Sequence, residues 1–310
     1  MTSKGHTVFG VDNLSGGSPE NLNPEETFLK REVAVVDELR DIFELAKPDF
    51  VYHLAAYAAV GLSPFIRRFN YVNNVVASAN VVNCCVNYDV KKLVFASSMD
   101  VYGSSNFPPY TEDMRPDPED PYGIAKYTVE MDLKQASRIF GLRYSIVRPH
   151  NIFGVRQNIF DKYRNVLGIW IRQTYSGKPM TVYGSGTQVR AFSDVKFYMT
   201  PLEALMDVGD GEIYNIGADK RMTINEAADI FRDSAASLGL KTSVVHTEPR
   251  DEIKEAYCDH TKAKRDLGLS DETDFYTLTR EMLHWAREQR QHTMRDPDVE
   301  IQKRLYDFWK

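Results

Sequence analysis

Long apolar runs are missing from this sequence: nothing approaches the roughly 20 residues that span a bilayer as a helix, so no membrane partner is expected. Cysteine is scarce. Cys84, Cys85 and Cys258 are too few for a disulfide framework, and the adjacent pair sits inside an apolar run as small core residues. Positive charge is in deficit as well. With 38 Lys and Arg against 44 Asp and Glu, the formal net charge is -6, which argues against a nucleic-acid partner bound through a broad basic field. Glycine (18) and proline (14) are too few for a fibrous or disordered chain. The opening residues Met1-Thr2-Ser3-Lys4-Gly5-His6 hold no apolar signal segment, and the cytoplasm is the expected compartment. What remains is 310 residues of ordinary composition, room for one large domain or two modest ones.

Short apolar runs alternate with helical patterns through the first two thirds. Segments 7–12, 50–55, 92–97 and 144–148 are apolar on both faces, as strands covered on both sides must be. Helices are predicted near 37–46, 64–87 and 121–140, the last opening on Asp120-Pro121 and closing on Gly141. This repetition predicts an α/β fold with a doubly wound parallel sheet. After residue 150, turns cluster at 176–179, 184–186 and 209–211. Short strands near 180–183, 213–216 and 243–246 alternate there with helices near 160–175, 223–238 and 274–290. The expected organisation is a Rossmann-like domain over 1–150, with parts of 180–220, and a smaller α/β lobe mainly over 151–310.

Tyr122-Gly123-Ile124-Ala125-Lys126 carries the sharpest chemistry. A spacing of four on a helix puts both side chains on one face. An ammonium beside a phenol favours the phenolate, which would make Tyr122 an acid or base near neutral pH. Spacing alone is weak, because Tyr88/Lys92 and Tyr306/Lys310 repeat it. Tyr122 stands apart by opening a helix that follows a strand ending in Ser97-Ser98. Serines there can simply cap a turn, but ligands of open parallel sheets also sit beyond strand carboxyl ends.

Ser97-Ser98-Met99-Asp100-Val101-Tyr102-Gly103 followed by Pro121-Tyr122-Gly123-Ile124-Ala125-Lys126 resembles the extended short-chain dehydrogenase/reductase family, closest to its UDP-hexose 4-epimerases. Arg148-Pro149-His150-Asn151-Ile152-Phe153-Gly154, Gly184 to Phe192, Tyr214-Asn215-Ile216-Gly217 and Asp259 to Lys264 resemble later family blocks. The resemblance implies an NAD-dependent nucleotide-sugar 4-epimerase. In it Tyr122 would be the acid/base, Lys126 its electrostatic partner and Ser98 the donor to the sugar oxygen. NAD would meet Asp12, Asn13, Leu54, Ala55, Ala56, Asn73, Tyr122 and Lys126. The UDP-hexose substrate would meet Ser98, Asn151, Asn165, Arg190 and Arg250. No metal is implied. A homodimer would form through helices 64–87 and 121–140, which carry Val75, Val76, Val81, Val82, Met131 and Leu133. Other nucleotide-sugar epimerases or decarboxylases, and a non-catalytic nucleotide-sugar binder, are the alternatives.

Two departures matter. Met99 and Asp100 stand where family dehydratases carry an Asp acid and a Glu base, and a thioether cannot donate a proton, so elimination is disfavoured. The segment Asp194-Val195-Lys196-Phe197 is expected to cap the next helix poorly. A third feature concerns the dinucleotide fingerprint, a Gly-rich turn between first strand and helix, with an acid about 20 residues on. Asp12 suits that acid, yet only eleven residues precede it. Lys4-Gly5-His6-Thr7 resembles the end of the family's first helix, so the expected sheet lacks its first strand and helix. Its neighbouring strands must then stay unpaired or close against each other. Intact motifs downstream favour a fragment of an active enzyme over a natural form with weak NAD binding.

Overall fold

The apolar runs become strands β1 (Phe9–Asp12), β3 (Phe50–His53), β4 (Lys92–Ala96) and β5 (Tyr144–Pro149), with β2 (Thr27–Lys30) between the first two. The computed structural model describes all residues except 162, 164, 251, 290–296, 307, 308 and 310. Helix α1 (Val36–Ala46) matches its predicted span. The predicted helix 64–87 does not run unbroken. It divides into a 3-10 segment Val60–Phe65, α2 (Arg67–Tyr71), a π-helical turn Val72–Val76 and α3 (Ala77–Asn87). Helix α4 (Pro121–Phe140) follows its boundary signals. Asp120 accepts from the amides of Tyr122 at 2.8 Å and Gly123 at 3.2 Å, and Gly141 closes the helix at φ +74°.

The rest of the chain holds β6 (Ile152–Phe153), α5 (Val166–Tyr175), β7 (Met180–Tyr183), β8 (Val189–Ala191), β9 (Ser193–Asp194), α6 (Met199–Ala204) and β10 (Ile213–Ile216). It ends with β11 (Arg221–Thr223), α7 (Ile224–Ser237), β12 (Val244–Thr247), β13 (Glu255–Ala256), α8 (Thr261–Leu267) and α9 (Phe275–Ala286). Two predicted helices are therefore shortened. Asn165, at φ +66°, blocks an earlier start of α5, and α9 ends at Ala286 with 287–289 outside the helix, residue 290 lying outside the described residues. Capping before α6 is intact. Asp194 accepts from the Lys196 amide at 3.0 Å, opening a 3-10 turn that feeds the helix.

Strands β3, β4, β5 and β10 form one parallel sheet in the order β10-β5-β4-β3. β1 and β2 pair in parallel as a separate sheet, and among the described residues no ladder joins β1 to β3. Of the two expected arrangements of β1 and β3, the unpaired one is observed. Side chains hold the β1–β2 pair instead. Val11 and Leu29 pack with Val51 against a core that includes Leu39, Phe43, Cys85, Leu93 and Leu133. A second core, around Trp170, Phe192, Phe231 and Phe275, lies within residues 153–286. The three cysteines are free and buried, Cys84 and Cys85 as their apolar setting predicts. Among the described residues no helix is long and apolar enough to cross a membrane.

Candidate active site

The carboxyl end of β4 meets the first turns of α4, and the meeting is tight. A Cβ on Gly123 would lie 3.0 Å from the Asp100 carbonyl oxygen, so a side chain there would push the helix and the turn after β4 apart by a few tenths of an ångström. Tyr122 and Lys126 are thereby brought under the strand end, and both are buried. Lys126 Nζ donates to the Ala96 carbonyl at 2.7 Å and lies 5.8 Å from the Tyr122 ring centroid. Burial pushes the Lys126 ammonium down to about 7, while the Glu130 carboxylate pulls the other way. Of the other Tyr-x-x-x-Lys pairs, the first builds nothing comparable. Tyr88 and Lys92 fall on different elements, and Lys310 lies outside the described residues.

The two serines separate. Ser98 caps the 3-10 turn Met99–Tyr102, its Oγ accepting from the Asp100 amide at 3.1 Å. That bond uses an oxygen lone pair and leaves the hydroxyl proton to donate elsewhere. Ser97 turns inward and donates to Glu130 Oε1 at 2.6 Å. Glu130 also takes a two-pronged contact from Arg148, 2.9 Å from Nε and 2.6 Å from Nη2. This buried pair clamps α4 to β4 and β5 beneath Lys126. Sequence reasoning passed over Glu130, although its place four residues after Lys126 was a usable signal. Asp100 has its Oδ2 shut off from solvent, and its carboxyl is raised well above the usual range by burial and by the Asp120 carboxylate.

A cavity of about 280 Å³ is lined by Asp12, Asn13, Leu54, Ala55, Ala56 and Asn73, which gathers the cofactor residues expected after β1, after β3 and on the predicted 64–87 helix. The π-helical turn at Val72–Val76 includes Asn73, which donates to the Phe69 carbonyl at 2.8 Å. The residues present suit a dinucleotide's adenosine half: an exposed carboxylate on the rim, small side chains at the wall, and amide groups alongside. No Gly-rich turn for the diphosphate lies between a strand and a helix ahead of Asp12 among the described residues.

The expected substrate residues are more scattered. Asn151 follows β5 at φ +43°, with its side-chain nitrogen buried and without a hydrogen-bond partner. Asn165 is exposed at the start of α5. Arg190 on β8 and Arg250 share the 250–254 segment. The Arg190 guanidinium donates to Glu252 at 2.9 Å and to the carbonyls of Val189 and Ile253 at 2.8 and 2.7 Å. Arg250 lies 3.5 Å above the Tyr183 ring and 5.1 Å from that of Trp309.

Comparison with known proteins agrees with this geometry. Residues 1–217 match the model of the NAD dependent epimerase/dehydratase family. A putative UDP-glucose 4-epimerase of Methanocaldococcus jannaschii is 30% identical over 290 residues, covering 93% of this chain and 92% of that protein. Among solved structures, UDP-glucose 4-epimerase of Thermotoga maritima with UDP-glucose superposes with a TM-score of 0.85 at 30% identity, over 93% of each chain. UDP-N-acetylglucosamine 4-epimerase of Methanobrevibacter ruminantium, in complex with UDP-N-acetylmuramic acid, gives 0.82 at 30% identity, over 92% of this chain and 91% of that one. The chain thus belongs to the NAD-dependent epimerase/dehydratase family and is an enzyme of the epimerase type, with a Rossmann-like fold and NAD as its cofactor.

Proposed function

We propose that this chain interconverts UDP-hexoses by inverting the configuration at C4, UDP-glucose and UDP-galactose being the leading pair. The observation that carries the reading is Lys126, buried below Tyr122 on one turn of α4, a helix packed on the 3-10 turn that Ser98 caps with its hydroxyl proton left to donate. Tyr122 as phenolate would take the proton of the sugar 4-hydroxyl. Ser98 would donate to the same sugar oxygen and hold it in line. In its protonated form Lys126 would place positive charge beneath the phenol and so favour its ionised form. When bound, NAD supplies a reversible two-electron acceptor for the sugar carbon. Asp12, Asn13, Leu54, Ala55, Ala56 and Asn73 would hold its adenosine half, and Tyr122 and Lys126 its nicotinamide ribose. Asn151, Asn165, Arg190 and Arg250 would hold the nucleotide-sugar, with the arginines on the diphosphate.

Met99 supports epimerisation over dehydration, since its thioether has no proton to give. The similarity to epimerases of several UDP-sugars favours a nucleotide-sugar substrate, and UDP-hexose is our choice among them. The test is UDP-galactose to UDP-glucose conversion with added NAD, in the unaltered chain and in Tyr122→Phe. Loss of the proton acceptor is expected to slow turnover about 10²- to 10⁴-fold. Equal turnover in the two proteins would remove Tyr122 from the reaction. UDP-glucuronate and UDP-N-acetylglucosamine run alongside test the choice of sugar.

The homodimer belongs to the same reading. Val81, Val82 and Leu133 are used up in the core, whereas Val76 and Met131 are 46% and 47% exposed. Ile124 and Met131 stand two turns apart on one face of α4 and would meet a second copy. Met131→Lys is expected to shift the sedimentation of a dimer to that of a monomer.

A further inference from the structure

Apart from Tyr122, the fold assembles a second set of reactive side chains. His150 follows β5, Cys258 follows β13 and His260 precedes α8. All three are buried, at 2%, 5% and 1% exposure, and one ligand atom from each lies within 4.8 Å of the others. Among the described residues this is the one His, Cys, Asp or Glu group so gathered. The two imidazoles stack with centroids 5.0 Å apart, and their Nε2 atoms are 2.9 Å apart. Gly217 makes the space: a Cβ there would lie 1.9 Å from His150 Nε2.

The surroundings orient these atoms as a metal requires. His260 Nδ1 pairs with Asp219 Oδ1 at 2.8 Å, which fixes the Nδ1–H tautomer and leaves the Nε2 lone pair aimed at His150. A carboxylate behind a ligating imidazole is the usual outer support of a metal-bound histidine. His150 also meets the backbone of Ala191, which helps hold its ring, and its Nε2 faces His260. A tetrahedral ion with bonds of about 2.0 to 2.1 Å to nitrogen and about 2.3 Å to sulfur sets its ligands about 3.3 to 3.6 Å apart. The present separations run from 2.9 Å to at most 4.8 Å, so side-chain adjustments of about an ångström close the shell.

We propose that His150, Cys258 and His260 bind a zinc-class divalent cation, with Asp219 orienting His260 and a fourth position left to water. Two imidazoles and one sulfur suit zinc and exclude calcium and magnesium, which take oxygen ligands. The ion displaces the thiol proton of Cys258, so one proton leaves for each ion bound. It ties the ends of β5 and β13 to the start of α8, and it fixes His150 next to Asn151. The role is structural and separate from the chemistry at Tyr122. Sequence reading named no ligands because His150 and His260 are 110 residues apart.

The whole chain, stripped with a chelator, is titrated with zinc and in parallel with cobalt(II). One zinc per chain, a higher melting temperature, and a thiolate-to-cobalt absorption band that vanishes in Cys258→Ser are expected. Asp219→Asn keeps all three ligands and should bind zinc about 10- to 100-fold more weakly. Cys84→Ser, in the other core, should bind it unchanged. No zinc uptake at micromolar concentration by the unaltered chain would overturn the proposal, whether or not any variant folds. So would an undiminished cobalt band in Cys258→Ser.

Discussion

Lys126 Nζ donates to the Ala96 carbonyl at 2.7 Å, tying the second turn of α4 to the last residue of β4. Burial pushes this ammonium from its ordinary 10.5 to about 7. Between those values the folded chain holds fewer protons at the site than the unfolded chain, so its stability rises with pH across the window. Lys126→Met removes that slope. The lost bond to Ala96 adds a penalty independent of pH, so the trend decides. Stability of the variant relative to the unaltered chain is expected to fall, by on the order of several kcal/mol, from pH 7 to 10.5. Urea melts across the range measure it, and a constant difference would refute a buried lysine of lowered pKa.

The Glu130–Arg148 pair lies under that lysine, with side chains 0% and 1% exposed. Its worth is best judged by breaking it. Glu130→Ala leaves a buried guanidinium without its carboxylate and should cost about 3 to 5 kcal/mol in a urea melt. Glu130 also raises the Lys126 pKa, so its removal should move the stability window just described to lower pH. Glu130→Leu combined with Arg148→Met replaces the pair by apolar groups and should recover most of the loss. A double variant as unstable as Glu130→Ala would show that the pair does more than satisfy itself.

Asp100 works in the opposite sense. Burial and the Asp120 carboxylate raise its pKa well above the ordinary carboxyl value of 3.8. The folded state then holds a proton that the unfolded state has already lost, and stability falls as pH rises from 3.8 toward the raised value. Asp100→Asn mimics the protonated form and should flatten that fall, gaining on the unaltered chain as pH increases. Melting temperatures at mildly acid and mildly alkaline pH decide it, and a variant that loses ground at higher pH would rule out a protonated Asp100.

What could be read in advance divides by range along the chain. Local signals were sufficient for α4, because Asp120, Pro121 and Gly141 act within one turn of the helix ends they define. The cofactor cavity was legible through the family resemblance of Asp12-Asn13, Leu54-Ala55-Ala56 and Asn73, which lie after β1, after β3 and on the π-helical turn. Thr27–Lys30 was missed because four residues with only two apolar side chains give no period to detect. The π-helical turn at Val72–Val76 has no periodicity of its own. Ser97 and Ser98 are alike in sequence, and only the packing of Glu130 draws one inward. The Arg190–Glu252 pair spans 62 residues, and nothing local announces it.

That pair leads to the last prediction. Glu252 Oε2 lies 2.9 Å from Arg190 Nη2, and the side chains are 34% and 13% exposed. Arg190 is proposed to hold a diphosphate, yet its guanidinium already faces a carboxylate and three carbonyls. A diphosphate must therefore compete with Glu252 for the same fork of N–H groups. A partly exposed ion pair is worth about 0.2 to 1 kcal/mol, so removing the competitor should tighten UDP binding about 1.5- to 5-fold. Glu252→Gln tests this by calorimetry with UDP, beside Arg190→Gln, which should weaken binding. If Arg190→Gln weakens binding and Glu252→Gln changes nothing, the diphosphate approaches Arg190 without displacing the carboxylate. If neither variant alters binding, Arg190 serves the fold alone and the diphosphate falls to Arg250, held 3.5 Å above the ring of Tyr183.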